Sequence, residues 1–242
     1  MQEEWLIRTS LLLGDEKLEV LKSKHVLVIG LGGVGSFAAE MIARAGVGIM
    51  TIVDGDTIQP SNINRQLPAV ASSVGMEKAR WMENRLKDIN PKLKLTVICE
   101  YLKDNRIDEL LSHPYDYVVD AIDTFSPKVF TIYTCLQKGL KLVSSMGSGG
   151  RLDPSQVKIA KMKDSYNCKL AFKVRKKLSG LKADKTFPVV FSSELVDEKV
   201  VRLVEGEPNK KSMVGTISYM PAIFGMFCAS VVIRDLIGEF KI

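Results

Sequence analysis

The sequence predicts an α/β fold, a doubly wound and mainly parallel sheet with a C-terminal elaboration. Three observations point there: short apolar runs are continuous rather than alternating, helix-compatible segments separate them, and a glycine-rich turn follows the first run. Strands covered on both faces lose the alternation of a half-solvated sheet, so such runs between helices imply parallel strands with helices on either side. The first run is His25-Val26-Leu27-Val28-Ile29, and residues 36–45 after the glycines are small and helix-compatible. Ile49-Met50-Thr51-Ile52-Val53 reads as a second strand ending at Asp54. Residues 76–89 have helical periodicity, with Trp81, Leu86 and Ile89 recurring at three- to five-residue spacing. Residues 93–99 and 115–121 read as the third and fourth strands, 128–137 as a helix and 140–144 as a fifth strand.

Organisation changes after Met146, where Gly147-Ser148-Gly149-Gly150 forms a turn and Arg151-Leu152-Asp153-Pro154 opens a new element. The expected layout is a single domain over 1–242. It comprises an N-terminal helical segment (1–24), a nucleotide-binding core (25–146), a basic elaboration (147–213) and a C-terminal core helix (214–242). Glu205-Gly206-Glu207-Pro208-Asn209-Lys210-Lys211-Ser212 has loop chemistry and reads as a mobile segment. Residues 217–233 carry no charge but include Pro221, Gly225, Ser218, Ser230 and Tyr219. A membrane span wants around 20 strongly apolar residues, so a buried core helix is the expected role and membrane attachment is not.

Composition narrows the class of function. With 242 residues, 46% hydrophobic and 26% charged, the chain is an ordinary globule rather than a disordered one. The four cysteines, Cys99, Cys135, Cys168 and Cys228, lie far apart with no C-x-x-C pair, which excludes a zinc ribbon or a dithiol redox motif and points to a reducing, cytoplasmic setting. Cys168 reads as a partly exposed thiol, Cys99 and Cys135 as core. With only His25 and His113, multi-histidine metal sites are excluded, and both histidines read as structural. The net charge is +6, yet residues 158–185 hold ten Lys/Arg against Asp164 and Asp184. The densest part is Lys173-Val174-Arg175-Lys176-Lys177. Such a stretch suits a polyanion, tRNA being a usual one, although a solvated helix face explains charge alone equally well.

Gly30-Leu31-Gly32-Gly33-Val34-Gly35 satisfies G-x-G-x-x-G between a strand and a helix, the pattern of a Rossmann-like phosphate turn. Asp54 stands at the end of the next strand, where a carboxylate accepts ribose hydroxyls. These features alone do not choose between a dinucleotide and ATP, and by themselves favour a nicotinamide or flavin enzyme. Asp56, then Asn62, Asn64, Arg65 and Gln66, then Lys78 at the start of a helix, add two cations and several amides beyond the ribose carboxylate. A dinucleotide pyrophosphate needs little more than the helix dipole, whereas a triphosphate undergoing transfer develops more charge. Asp120-Ala121-Ile122-Asp123 ends the fourth strand, where a doubly wound sheet opens its crevice. Asp123 is the candidate magnesium ligand and Asp120 a weaker one. The candidate nucleotide set is therefore Gly30, Gly32, Gly33, Gly35, Asp54, Asp56, Asn62, Asn64, Arg65, Gln66, Lys78, Asp120 and Asp123.

Between residues 26 and 143 these motifs resemble the ThiF/MoeB/HesA family of adenylating enzymes related to ubiquitin activation, sharing Gly-Leu-Gly-Gly-Val-Gly, Asp54, Asn62-Ile63-Asn64-Arg65-Gln66, Lys78 and the Asp120/Asp123 pair in order. The resemblance implies ATP·Mg²⁺, attack of a substrate carboxylate on the α-phosphate, and an acyl-adenylate. It implies that Asp54 binds ribose, Arg65 and Lys78 bind phosphates, Asp123 binds magnesium, and an N-terminal arginine reaches the ATP of the other subunit of a homodimer. Arg8 is the arginine available for that role, although its spacing to Leu12-Leu13-Gly14 is offset from the family pattern. Members that activate a protein C-terminus usually carry two C-x-x-C pairs, absent here. The segments 145–154, Lys173-Val174-Arg175-Lys176-Lys177-Leu178 and Val190-Phe191-Ser192-Ser193-Glu194 resemble instead the branch acting on tRNA. That branch implies activation of the threonyl carboxylate of threonylcarbamoyladenosine beside the anticodon, with cyclisation, net loss of water and release of AMP and pyrophosphate. Lys173, Arg175, Lys176 and Lys177 are then the candidate nucleic-acid contacts. A monovalent cation and a cysteine desulfurase of a sulfur relay are the additional expected cofactor and partner. The alternatives are an adenylyltransferase for a ubiquitin-like or sulfur-carrier tail, and a non-catalytic nucleotide-binding scaffold. A nicotinamide dehydrogenase gives no reason for Arg65, Lys78 and Asp123.

Overall fold

The computed structural model describes residues 3–103, 105–203 and 212–242. The expected loop at 205–212 lies almost wholly outside them. Two short helices, α1 (Ile7–Leu13) and α2 (Asp15–Ser23), precede strand β1 (His25–Ile29). Then come α3 (Gly35–Arg44), β2 (Ile49–Val53), α4 (Lys78–Ile89), β3 (Lys94–Ile98), α5 (Asn105–Leu110), β4 (Tyr117–Asp120), α6 (Phe125–Gln137) and β5 (Leu142–Ser145). The remainder supplies β6 (Val157–Lys161), α7 (Lys169–Gly180), β7 (Pro188–Ser192), a small antiparallel pair of β8 (Val201–Leu203) and β9 (Ser212–Val214), and α8 (Tyr219–Leu236).

Among the described residues the main sheet has seven strands in the order β3-β2-β1-β4-β5-β7-β6, all parallel except β6. Successive residues of each strand feed opposite cores, which is why the apolar runs are continuous. Val26, Val28, Met50, Ile52 and Val119 pack with α3, α4 and α8, while Leu27, Ile29, Val53 and Val118 pack with α5, α6 and α7. The chain departs from β1 in opposite directions to β2 and β4, so the topological switch lies above the ends of β1 and β4, where Ile29 pairs with Asp120.

Three differences from the sequence reading have local causes. Helix α6 starts at Phe125 rather than 128 because Pro127 falls in the first turn, where its missing N–H costs nothing. The basic elaboration is built into the sheet: β7 pairs with β5, and β6 closes the edge with Lys158 and Lys161, charges that discourage further strand pairing. The basic stretch runs through β6, α7 and their connections. Helix α5, a single short turn and a half, escaped the periodicity reading.

Helix α8 is long and apolar enough to cross a membrane by length and composition, and half of it is buried inside the fold. It lies against α3 so closely that a Cβ on Gly225 would sit 2.3 Å from the Val34 carbonyl oxygen. Gly225→Ala is therefore expected to cost about 1–3 kcal/mol through overpacking, checked by urea unfolding followed by far-UV circular dichroism.

Candidate active site

The glycine turn is shaped by contacts that exclude side chains. Gly30 has φ +88°, a conformation costly for other residues, and a Cβ there would lie 2.9 Å from the Ala121 carbonyl oxygen. A Cβ on Gly35 would lie 1.7 Å from the Gly30 carbonyl oxygen, so the turn into α3 closes only with glycine. Over Gly33 the Pro221 ring and the Arg65 carbonyl approach to 2.8 and 3.1 Å of a would-be Cβ. Gly32 differs: the nearest atom to a would-be Cβ there is Gln66 Nε2 at 3.6 Å, an ordinary contact distance. The Gln66 Oε1 atom is buried and has no hydrogen-bond partner among the described residues. An orphaned acceptor costs free energy unless something arrives to donate to it, so its position beside Gly32 fits a bound nucleotide with donors of its own.

Acidic and basic groups are arranged around this turn. Asp54 Oδ2 accepts the Leu31 N–H at 2.6 Å and Oδ1 the Asp56 N–H at 2.8 Å. Burial pushes the Asp54 carboxyl above its ordinary value, opposed by the Lys78 charge and these two backbone donors. Lys78 is nearly buried at the first position of α4 and donates to Asp56 Oδ2 at 2.7 Å. Asp56 Oδ1 also accepts the Tyr101 hydroxyl at 2.6 Å, which raises the Tyr101 pKa to about 12. Tyr101 belongs to the site although nothing in the linear spacing marked it. What brings it there is the parallel pairing of β2 with β3, so close that a Cβ on Gly55 would lie 2.5 Å from the Tyr101 nitrogen.

The segment carrying the amides is organised partly by those amides. Asn62 Oδ1 accepts the Gln59 N–H at 3.1 Å, and its carbonyl accepts the N–H groups of Arg65 and Gln66. Asn64 donates to the Thr216 carbonyl at 3.0 Å and accepts from Arg65 Nη1 at 2.8 Å. Both are candidate ligand groups, and in this structure their hydrogen bonds also hold Arg65 and Gln66 in place. Arg65 also donates to the Ser61 carbonyl at 2.8 Å; burial lowers its pKa, and the negative charge of Asp123 raises it.

Asp123 stands just before Thr124, the N-cap of α6, and acts electrostatically on Arg65. Asp120 does not join it at the surface. Fully buried, it accepts Lys128 Nζ at 2.7 Å, the Ser144 hydroxyl at 2.6 Å and the Ile122 N–H at 3.1 Å, which corrects the expectation that it faces a metal. Among the described residues no three His, Cys, Asp or Glu side chains cluster as a metal cage. Magnesium rarely needs one, because a carboxylate or two and the oxygens of a phosphate suffice.

The remaining candidates separate. Arg8 is exposed on α1, and the preceding Leu6 packs on Gly46 beyond the far end of α3, so Arg8 does not reach the glycine turn of its own chain. Lys173, Lys176 and Lys177 are exposed on α7, whereas Arg175 is half-buried and donates to the Ser165 carbonyl at 2.6 Å and hydroxyl at 2.8 Å. The sequence does not distinguish Arg175 from its neighbours; its anchoring follows from facing Ser165. Cys168 is buried rather than partly exposed, with Sγ accepting the Ala171 N–H at the start of α7. A Cβ on Gly147, which follows β5, would lie 3.7 Å from that sulfur, so α7 begins at the crevice end of the sheet.

Comparison with known proteins agrees with this geometry. The ThiF family matches residues 6–241. The tRNA threonylcarbamoyladenosine dehydratase of Bacillus subtilis is 35% identical over 242 residues, covering 97% of this chain and 95% of that protein. That of Haemophilus influenzae is 34% identical over 239 residues, covering 93% and 90%. The crystal structure of the Escherichia coli tRNA N6-threonylcarbamoyladenosine dehydratase, TcdA, in complex with ATP superposes with a TM-score of 0.87 at 31% identity, covering 98% of this chain and 97% of that one.

The electrostatic arrangement has a direct test. Lys78 holds the Asp54 carboxyl down against burial, so Lys78→Met is expected to move the Asp54 titration further upward. Carboxyl ¹³C chemical shifts followed against pH read that movement, and an unmoved or lowered titration contradicts the arrangement.

Proposed function

The chain belongs to the ThiF family, and from that premise we propose that it is an ATP-dependent tRNA threonylcarbamoyladenosine dehydratase. A carboxylate is a poor electrophile because oxide would have to leave. One oxygen of the threonyl carboxylate attacks the α-phosphorus of ATP, the bond to the bridging oxygen breaks, and pyrophosphate leaves with the electron pair. A nucleophilic atom of the same modified nucleoside then attacks the activated carbonyl carbon. The carbon–oxygen bond to AMP breaks, AMP carries the former carboxylate oxygen away, and one proton is lost. The nucleoside is cyclised with net loss of water. Both partners of the second step belong to one molecule, so effective molarity supplies the acceleration and no protein nucleophile is required.

The observation that carries this reading is the charge arrangement at the glycine turn: Arg65 and Lys78 bring two positive groups to one phosphate-binding loop. They suit charge growing on a departing pyrophosphate. Asp54 is assigned to the ribose, the backbone N–H groups of the glycine turn to the phosphates, and the Gln66 Oε1 acceptor to a donor of the nucleoside part. Asp123 would hold a magnesium ion, which would supply positive charge to offset that of the phosphates. A monovalent cation is proposed on the family resemblance alone.

The tRNA is assigned to the outer face of α7. Lys169, Phe172, Lys173 and Lys176 share that face, and Phe172 is 57% exposed between lysines at helical spacing. Lysines at this spacing suit a phosphate backbone and an exposed ring suits an unstacked base. Arg8 is assigned to the partner's site in a homodimer. It shares α1 with Leu11 and Leu12, which are 82% and 83% exposed, an apolar face that a second copy would cover. A cysteine desulfurase is proposed as partner on the resemblance alone, and the four free thiols support a cytoplasmic setting.

Incubation with ATP, Mg²⁺ and tRNA bearing threonylcarbamoyladenosine is expected to remove one water from the modified nucleoside, matched by AMP release, as read by nucleoside mass spectrometry after gentle digestion. An unchanged nucleoside overturns the proposal. Arg65→Ala, Lys78→Ala and Asp123→Ala are each expected to reduce AMP release by about 10²-fold or more. Charge reversal at Lys173, Lys176 and Lys177 is expected to weaken tRNA binding and flatten its salt dependence while leaving ATP affinity unchanged, measured by filter binding across a salt series.

A further inference from the structure

A buried ion pair lies directly behind the site. Lys128 Nζ and Asp120 Oδ2 are 2.7 Å apart and both side chains are fully shielded from water. Taking two charges out of water is expensive, and a well-packed apolar pair of similar volume usually serves stability as well or better. The partners of Asp120 indicate what the pair does instead. Its Oδ2 receives Lys128 from the first turns of α6 and Ser144 from β5, while Oδ1 receives the Ile122 N–H at 3.1 Å. One carboxylate thus ties together the neighbouring strand, the following helix and the turn 121–123.

That turn sets the geometry of the site on two sides. The Ala121 N–H donates to the Ile29 carbonyl at 2.9 Å, and its own carbonyl is the atom that would clash with a Cβ on Gly30. On the other side the turn ends at Asp123, whose charge acts on Arg65. Asp120 and Lys128 bracket Asp123, three residues before it and five after. We infer that Lys128 and Asp120 are positioning residues: their buried pair locks the 121–123 turn so that Asp123 presents its carboxylate to Mg²⁺ on the bound triphosphate. This inference rests on the adenylating reading of the site. Neither residue touches the nucleotide; both act through Asp123, as the outer shell of a metal site orients its ligand.

The test measures binding rather than turnover. ATP affinity is determined by calorimetry on the full chain with EDTA and with saturating Mg²⁺, and the ratio of the two affinities is the magnesium response. Lys128→Met is expected to shrink that response by about tenfold while leaving the affinity in EDTA within about twofold of wild type, and Lys128→Arg to restore most of it. Because Lys128→Met leaves a buried unpaired carboxylate, the double variant Asp120→Leu/Lys128→Met is measured beside it. Its apolar pair is expected to keep the melting temperature near wild type and still lose the response. Amide hydrogen exchange at Ile122 is expected to quicken in both variants. A double variant with the wild-type magnesium response overturns the positioning role, as does a loss of affinity that is equal with and without Mg²⁺. A wild-type protein that binds ATP with no magnesium response overturns the metal assignment to Asp123 and this inference with it. A wild-type protein that responds to magnesium but does not dehydrate the nucleoside overturns the substrate reading and leaves the positioning role standing.

Discussion

The site depends on how closely the ends of β1 and β4 approach each other. Ile29 and Asp120 are paired in register, and the chains leaving them touch, the Gly30 backbone against the Ala121 carbonyl. That contact forbids a side chain at Gly30, and the turn closing back on itself forbids one at Gly35. A phosphate-sized group can then approach backbone N–H groups at the start of α3. Everything else is placed relative to this gap. The segment 62–66 covers it from one side, α8 presses Pro221 onto Gly33 from another, and the turn to Asp123 forms its wall.

The charged groups follow one logic. Lys78 is nearly out of water and is stabilised by Asp56, which is itself held by Tyr101. Arg65 is held by Ser61 and Asn64 and balanced by Asp123. Each cation therefore has a protein partner before any phosphate arrives. A fixed cation loses little side-chain entropy when it meets an anion, so these contacts lower the cost of binding as well as that of folding. The same contacts explain why Asn62 and Asn64 serve the chain: without them the cations would have no fixed address.

Much of this was legible in the sequence. The first two strands, the glycine turn and the lysine opening α4 are set by local pattern and turn chemistry, so spacing alone located them. What spacing did not disclose depends on pairings between distant segments. Asp120 and Asp123 both stand as carboxylates at a strand end, and spacing made Asp120 only a weaker candidate, yet the pleat turns it into the core toward Lys128 and Ser144. Arg175 sits in a run of four cations within five residues, and only the fold of the preceding segment back onto α7 separates it from the others. Tyr101 enters because β3 lies beside β2. The two strands β6 and β7 were hidden because one alternates lysine with apolar residues at an edge and the other is a short run following a long basic stretch.

Two contacts described above tie the site to the far end of the fold. Asn64 bonds to the Thr216 carbonyl, and Pro221 closes over Gly33, so residues on the threshold of α8 complete a pocket whose other walls were laid down more than ninety residues earlier. Loosening α8 from α3 would therefore open the site without altering the glycine turn itself, so the packing of this one helix pair and the shape of the pocket rise and fall together.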